Sequence, residues 1–170
     1  MMKWRDIIIC IPIANIINKS WHKTLKDFQT RIHNHMSSTQ HRSPTQNELL
    51  LSNLMEFYTE DNLQKLIAVV NGQSRISLRI IDWFVTNYAK KNFTVYSIPA
   101  KTRCSTVING EENMERFKVF NSYKLELKAY NKSRFDPFCR RDRITIPVSG
   151  STGMVTTIGQ LNFFKWAIEN

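Results

Sequence analysis

The sequence has few residues of the kinds that build disulfides, metal centres and catalytic dyads. Its three cysteines are widely spaced and form no C-x-x-C pair, so neither a disulfide framework nor a zinc ribbon is indicated. None of its four histidines lies beyond His41, so a Ser/His or Cys/His site is not indicated in the rest of the chain. The acids show no paired spacing of the glycosidase or two-metal type. We therefore expect no enzymatic activity, no cofactor, no metal and a reducing intracellular setting.

The sequence also lacks an apolar run long enough to cross a bilayer as a helix. The run at residues 7–17 is short and is interrupted by a proline, and no small-residue cleavage site follows it. It fits a weak signal or anchoring segment, a buried strand, or an upstream extension of a chain that folds only after Met36. We expect residues 1–40 to be an N-terminal extension, disordered or outside the fold. Residues 41–170 are predicted to form one domain with no stable membrane span.

Composition places the chain among soluble globular proteins with an anionic partner. Its 170 residues are 42% hydrophobic and 22% charged, which is ordinary for a globular domain. The formal net charge is +10, which favours nucleic acid or an acidic protein surface as partner.

Capping signals and apolar spacing predict three helices in the first half of the domain. Ser43, followed by proline and later Gln46, indicates the start of a helix over residues 44–58. Thr59 is expected to cap a second helix, which ends at an Asn-Gly pair. Ser77 is expected to cap a third, LRIIDWFVTNYAKK, whose apolar face is broad enough for a central core helix.

Strand patterns alternate with helices in the second half of the domain. The polar loop SGSTG lacks the lysine of a phosphate-binding P-loop and is interpreted as a hairpin turn. The fold class is therefore α+β, with an N-terminal helical half followed by a small antiparallel sheet and one or two helices. The predicted elements are strands at 93–98, 116–120, 143–148 and 154–157, and helices at 121–130 and from 161 onwards.

Positive charge is concentrated in residues 116–143, which we call the basic segment. It contains nine lysines and arginines against three acids, a net charge of nine minus three, or +6. Such a segment can neutralise phosphates without reading bases, and Tyr130, Phe135 or Phe138 could stack on unpaired bases. The candidate nucleic-acid-binding residues are Lys124, Lys128, Lys132, Arg134, Arg140, Arg141 and Arg143.

The basic segment also has two other interpretations. In a purely structural one, Asp136 and Pro137 form a turn, Phe135 and Phe138 fill the core, and Asp142 pairs with an arginine. In another, the cations contact an acidic protein partner. The sequence alone leaves all three interpretations open.

Four stretches of the chain resemble a known family. They are HRSPTQNELLLSNLMEFY, ISLRIIDWFVTNYAKKN, FKVFNSYKLELKAYNKSRFDPFCRRDRI and TTIGQLNFFKWAIEN. They are similar to a family of small basic proteins encoded by nucleocytoplasmic large DNA viruses, and the resemblance covers about residues 40–170. Members continue beyond the last helix, so the resemblance implies that this is a truncated copy. It implies a viral origin but brings no activity and no catalytic residue with it.

The sequence thus predicts a non-enzymatic viral accessory protein that binds nucleic acid non-specifically through the basic segment. Its expected location is the host cytoplasm or the virion, and it is not expected to be secreted. The alternative is a structural or adaptor protein, associated with the virion, that docks a partner through the aromatic helices at residues 78–91 and 161–170.

Overall fold

Helices and two short hairpins alternate along the chain. The structure, a computed structural model, describes residues 26–31, 34, 43–99, 114–148 and 153–170. Mixed helices and antiparallel strands confirm the α+β class, with the helices mostly in the first half. The elements are α1 (Gln46–Phe57), α2 (Glu60–Val70), α3 (Leu78–Trp83), the π-helix π1 (Phe84–Tyr88), α4 (Ala89–Lys91), β1 (Val95–Pro99), β2 (Met114–Lys118), α5 (Val119–Phe135), β3 (Arg143–Pro147), β4 (Gly153–Thr157) and α6 (Ile158–Glu169).

The strands form two separate antiparallel pairs. In the first pair, β1 and β2, Tyr96 lies opposite Phe117, and the two rings are 5.3 Å apart between centroids. In the second pair, β3 and β4, Thr145 lies opposite Val155. The four predicted strands are confirmed to within two residues at each end, and they pair in chain order. The sequence analysis expected one small sheet, but each pair makes its own two-stranded sheet within the described part of the chain.

One predicted helix cap is confirmed, one is displaced by two residues, and Thr59 precedes α2 but makes no side-chain capping bond. In α1 the cap is Thr45: its hydroxyl accepts from the Glu48 N–H (3.3 Å), and the Glu48 carboxylate accepts from the Thr45 N–H (2.7 Å). The expectation of a Ser43 cap with Gln46 was therefore wrong, because a carboxylate is a stronger acceptor than an amide. The Ser77 cap is confirmed by its bond from the Ile80 N–H (3.3 Å), and the Thr157 hydroxyl likewise caps α6 by accepting from the Gln160 N–H (3.1 Å).

The third predicted helix is present over residues 78–91, but its hydrogen-bonding pattern changes within it. A π-helical turn separates α3 from α4, and within it the Thr86 hydroxyl donates to the Asp82 carbonyl oxygen (2.8 Å). The wider π turn shifts the angular position of the residues after it. Val85 is buried on the inner side, whereas Tyr88 is partly exposed.

An aromatic core joins α5 to α6. The ring of Phe135 lies 5.8 Å from Phe163 and 6.0 Å from Trp166, and all three side chains are buried. On the other side of α6, the buried Tyr58 hydroxyl donates to the Leu161 carbonyl oxygen (2.6 Å). Since unpaired buried polar groups are costly, this bond fixes where the end of α1 meets α6.

Part of the predicted N-terminal extension touches this core. Residues 26–31 are helical, Phe28 packs against the core, and the Gln29 side chain donates to the Met55 carbonyl oxygen (2.6 Å). The predicted domain boundary at residue 40 stays a prediction. The expectations for residues 7–17, the four histidines and the SGSTG turn fall outside the residues that the structure describes.

Candidate nucleic-acid interface

Helix α5 presents the first two candidate cations. Tyr123 and Leu127 face inward and pack against the core, so the opposite side of the helix faces solvent. Lys124 and Lys128 lie on that outer side, four residues apart, and both are exposed. Residues at this spacing are neighbours on a helix surface, so the two ammonium groups can approach the same phosphate backbone. We call Lys124 and Lys128 the helix pair.

The helix is interrupted after Tyr130. Asn131 has φ 58° and ψ 170°, which is outside the helical region. Its side-chain oxygen accepts from the N–H (3.1 Å) and the hydroxyl (2.6 Å) of Ser133, and these bonds start the final turn. The break lets Phe135 reach the core, where it stacks on Tyr130 with a ring separation of 6.2 Å. Lys132 therefore does not continue the row of the helix pair.

Two of the seven candidate residues have partners within the chain. Lys132 lies 3.9 Å from the Asp136 carboxylate, and because the lysine is exposed, such a long pair contributes little to stability. Arg134 is half-buried and donates from Nε to Asn47 (2.6 Å) and from an Nη to Gln46 (2.9 Å), both in the first turn of α1. Arg134 thus ties α5 to α1, and its guanidinium is occupied by these bonds.

The other three candidates follow a turn at residues 136–139. The Cys139 N–H bonds to the Asp136 carbonyl oxygen (3.1 Å), and Pro137 is buried, so the predicted turn is confirmed. Phe138 is 47% exposed and does not fill the core, unlike Phe135. Arg140, Arg141 and Arg143, which we call the arginine turn, are all exposed.

The structure thus divides the candidate residues into the helix pair, the arginine turn and two residues with internal partners. Six of the seven are exposed, and Arg134 is the exception. The helix continues for seven residues from Lys124 to the interruption, which is a rise of about 10 Å. The helix pair and the arginine turn therefore lie on two parts of the basic segment, one on each side of the interruption, and several separate exposed cations suit a polyanion with repeated phosphates.

A groove beside the helix pair contains residues that the sequence analysis did not single out. It has a volume of about 490 Å³ and is lined by Lys90, Phe93, Lys118 and Phe120 among others. The ammonium groups of Lys90 and Lys124 each lie 5.7 Å from the centre of the Phe120 ring. This distance permits a cation–π interaction of each ammonium group with the Phe120 ring. We call this site the β1 groove.

Phe93 and Lys90 escaped the sequence analysis because FTVYSI was interpreted as a strand beginning at residue 93. In the structure the strand begins at Val95, and Phe93 lies just after Asn92, the C-cap of the preceding helix. Glycine is the usual residue just after a helix C-cap, and here that residue is phenylalanine. No local pattern therefore indicated that the helix ends before residue 93.

A second cleft, of about 620 Å³, lies between α1, α5, α6 and the first hairpin. Its lining includes cations, such as Arg116 and Lys165, but also Glu115, Glu126 and Glu169. Acids repel phosphate, so this cleft suits a polyanion less well than the β1 groove does.

One pair of acids lies close together near the base of α5. Burial raises the pKa of Asp82, and the nearby Asp136 carboxylate raises it further. Asp136 also accepts from the Phe138 N–H (2.8 Å), which is the ordinary work of an aspartate in a turn. Among the described residues, no group of three or more potential ligands could hold a metal ion.

The aromatic helices of the alternative hypothesis differ in exposure. In α6, Phe163, Phe164 and Trp166 are buried within the chain's own core and cannot contact a partner. Along α3 and π1, Trp83 is 54% exposed and Tyr88 is 44% exposed. No helix in the described part of the chain is long and apolar enough to cross a membrane.

Comparison with known proteins gives a family and a viral relative. The sequence profile of DUF7197, a family of unknown function, matches residues 26–170. An uncharacterized protein, L507, from Acanthamoeba polyphaga mimivirus is 37% identical over 147 residues, which cover 82% of this chain and 53% of that protein. The chain thus spans about half the length of this relative. No solved structure matches. The expected resemblance to proteins of large DNA viruses is supported to the extent of this mimivirus relative.

Proposed function

The chain belongs to DUF7197, and we propose that it is a viral accessory protein that binds nucleic acid without sequence preference. One observation carries the proposal: the helix pair and the arginine turn expose five cations along one segment of the chain. Cations arranged along a surface neutralise successive phosphates, whereas a compact anion would need convergent donors.

The proposed contacts are electrostatic and so depend on salt. Lys132 and Arg134 have charged or hydrogen-bonded partners within the chain, so we assign the other five cations to phosphates, including Lys124, which lies over the Phe120 ring. If each engages one phosphate, the logarithm of affinity falls with the logarithm of salt concentration with a slope on the order of −4. The exposed arginines add forked donors that fit phosphate oxygens.

A salt titration with matched variants tests this proposal. Binding of the full chain to a labelled duplex and to a single strand of DNA and RNA is measured by fluorescence anisotropy. An Arg140→Ala, Arg141→Ala, Arg143→Ala variant should bind more weakly and reduce the slope by about 2 to 3, because three phosphate contacts are lost.

The control variant removes three positive charges outside the basic segment. Arg31, Arg75 and Arg79 are exposed and lie outside the basic segment, so their replacement by alanine lowers the net charge equally. The control should retain most of the affinity and the slope. Binding that is absent in the wild type or independent of salt would reject the proposal. Equal losses in both variants would show that net charge, and not the basic segment, attracts the polyanion.

A docking role on a virion component is the second candidate. The observation in its favour is the exposed apolar side of α3 and π1, where Ile80, Trp83 and Tyr88 are each 44% to 54% exposed. Exposed apolar clusters of this kind can mark protein contacts. A Trp83→Ala, Tyr88→Ala variant should then lose copurification with a specific viral protein from infected cells while keeping its affinity for nucleic acid.

A further inference from the structure

Phe93 occupies a backbone position that the fold alone does not explain. The helix of α4 ends at Asn92, and the N–H of Thr94 bonds back to the Ala89 carbonyl oxygen (3.2 Å). This bond is the mark of a Schellman motif, in which the residue after the C-cap is left-handed and is usually glycine. Phe93 fills that position with φ 45°. A bulky side chain there strains the backbone.

The Phe93 side chain makes little contact with the rest of the fold. The residue is 86% exposed, more than any other exposed large hydrophobic residue in the described part of the chain. A strained backbone combined with an exposed ring is typical of residues kept for a function. The backbone hydrogen bonds of Asn92 and Thr94, on either side of Phe93, hold its backbone and so fix the direction in which its side chain leaves the chain.

The surroundings of the ring indicate what it would contact. Lys90 and Lys118 line the β1 groove with Phe93, and the described lining includes no acid. Lys124 of the helix pair approaches Phe120 at the edge of the same groove. A ligand that fits must therefore combine negative charge with a flat apolar face.

We propose that the β1 groove holds an unpaired nucleotide, with its base stacked on Phe93 and its phosphate near Lys90, Lys118 and Lys124. The inference rests on the proposed function and makes it more specific, because it predicts a preference for single strands. Bases within a duplex have both faces covered by their neighbours and cannot stack on a protein ring without leaving the helix. The helix pair would carry the adjoining phosphates of the same strand.

Single-strand preference and its dependence on Phe93 form the test. The full-length wild type and a Phe93→Ala variant are titrated with a labelled oligothymidylate and with a blunt duplex of equal length, at several salt concentrations. Phe93→Ala should weaken binding of the single strand by at least about fivefold, as expected for loss of one stacked base. Binding of the duplex and the salt slope should stay unchanged.

Two further variants separate stacking from other effects. Phe93→Leu keeps an apolar side chain but removes the aromatic face, so it should behave like Phe93→Ala. Val155→Ala trims another exposed apolar residue, in β4, and should leave both affinities unchanged. Circular dichroism confirms that each variant is folded.

The outcomes distinguish this inference from the proposed function. If Phe93→Ala leaves single-strand affinity unchanged while the arginine-turn variant weakens binding to both probes, the stacking site is wrong and the proposed function stands. If Phe93→Leu binds like the wild type, the ring is not stacking. If the wild type binds neither probe, both proposals are wrong. Equal wild-type affinity for the two probes also overturns the stacking site.

Discussion

Replacing Phe93 by glycine should make the protein more stable, and the comparison with alanine isolates the reason. A residue with a Cβ atom in the left-handed region costs about 1–2 kcal/mol relative to the right-handed one. Glycine avoids this cost but loses about 0.5–1 kcal/mol more chain entropy on folding than alanine does. The difference favours glycine over alanine at residue 93 by about 0.5–1 kcal/mol.

The wild-type ring changes this comparison little. Phe93 is 86% exposed, so either substitution removes only a small apolar contact area. Phe93→Gly should therefore be at least as stable as the wild type, whereas Phe93→Ala keeps the strained backbone and gains nothing. For a chain of this length the expected difference between the two variants is about 1–4 °C in Tm.

Urea unfolding followed by circular dichroism measures the effect. The midpoints of the two variants should differ while the m-values agree, because both expose the same surface on unfolding. If Phe93→Ala is as stable as Phe93→Gly, residue 93 does not hold a left-handed conformation, and the argument that backbone strain marks Phe93 as a functional residue is refuted. A stability gain in Phe93→Gly together with weaker single-strand binding would show that the strain serves the site.

Two other substitutions test packing and electrostatics away from the β1 groove. Gly159→Ala should destabilise the fold by about 1–3 kcal/mol, although alanine favours helices. A Cβ atom there would lie 2.8 Å from the Asp136 carbonyl oxygen and 3.0 Å from the Ser133 carbonyl oxygen. An unchanged urea midpoint would contradict this close contact. Burial first, and the nearby Asp136 carboxylate second, raise the pKa of Asp82, so its ionised form opposes folding above that raised pKa. Asp82→Asn should therefore raise Tm at neutral pH. The gain in the free energy of unfolding should be less than about 1 kcal/mol, because the group is half exposed. This gain should vanish below the ordinary aspartate pKa of about 3.9. A gain that persists in acid would place its cause elsewhere.

The sequence predicted the elements whose signals are local. The Ser77 cap and the four strands of the two hairpins follow from residue preference and spacing over a few positions. The first cap was displaced because two acceptors, at residues 46 and 48, satisfied the same spacing rule.

The features of the candidate site that depend on distant contacts could not be predicted in this way. Asn131 leaves the helix because Phe135 has a place in the core beside α6, and no local pattern reports that place. Arg134 looked like its neighbours in sequence, yet its partners lie 87 and 88 residues earlier in α1. The left-handed conformation of Phe93 was not predicted, because FTVYSI has the pattern of a strand that begins at residue 93. In the structure that conformation is set by the end of the preceding helix.

The bond from Tyr58 to the Leu161 carbonyl oxygen spans 103 residues and has a consequence for synthesis. While the ribosome is still synthesising the middle of the chain, α6 does not yet exist to cover the inner side of α1. The apolar residues of α1 therefore stay exposed to solvent. Loops this long are slow to close, and exposed apolar surface invites aggregation in the meantime. Expression of residues 43–91 alone should therefore yield an insoluble or unfolded product, so the helical half is not a separable building block.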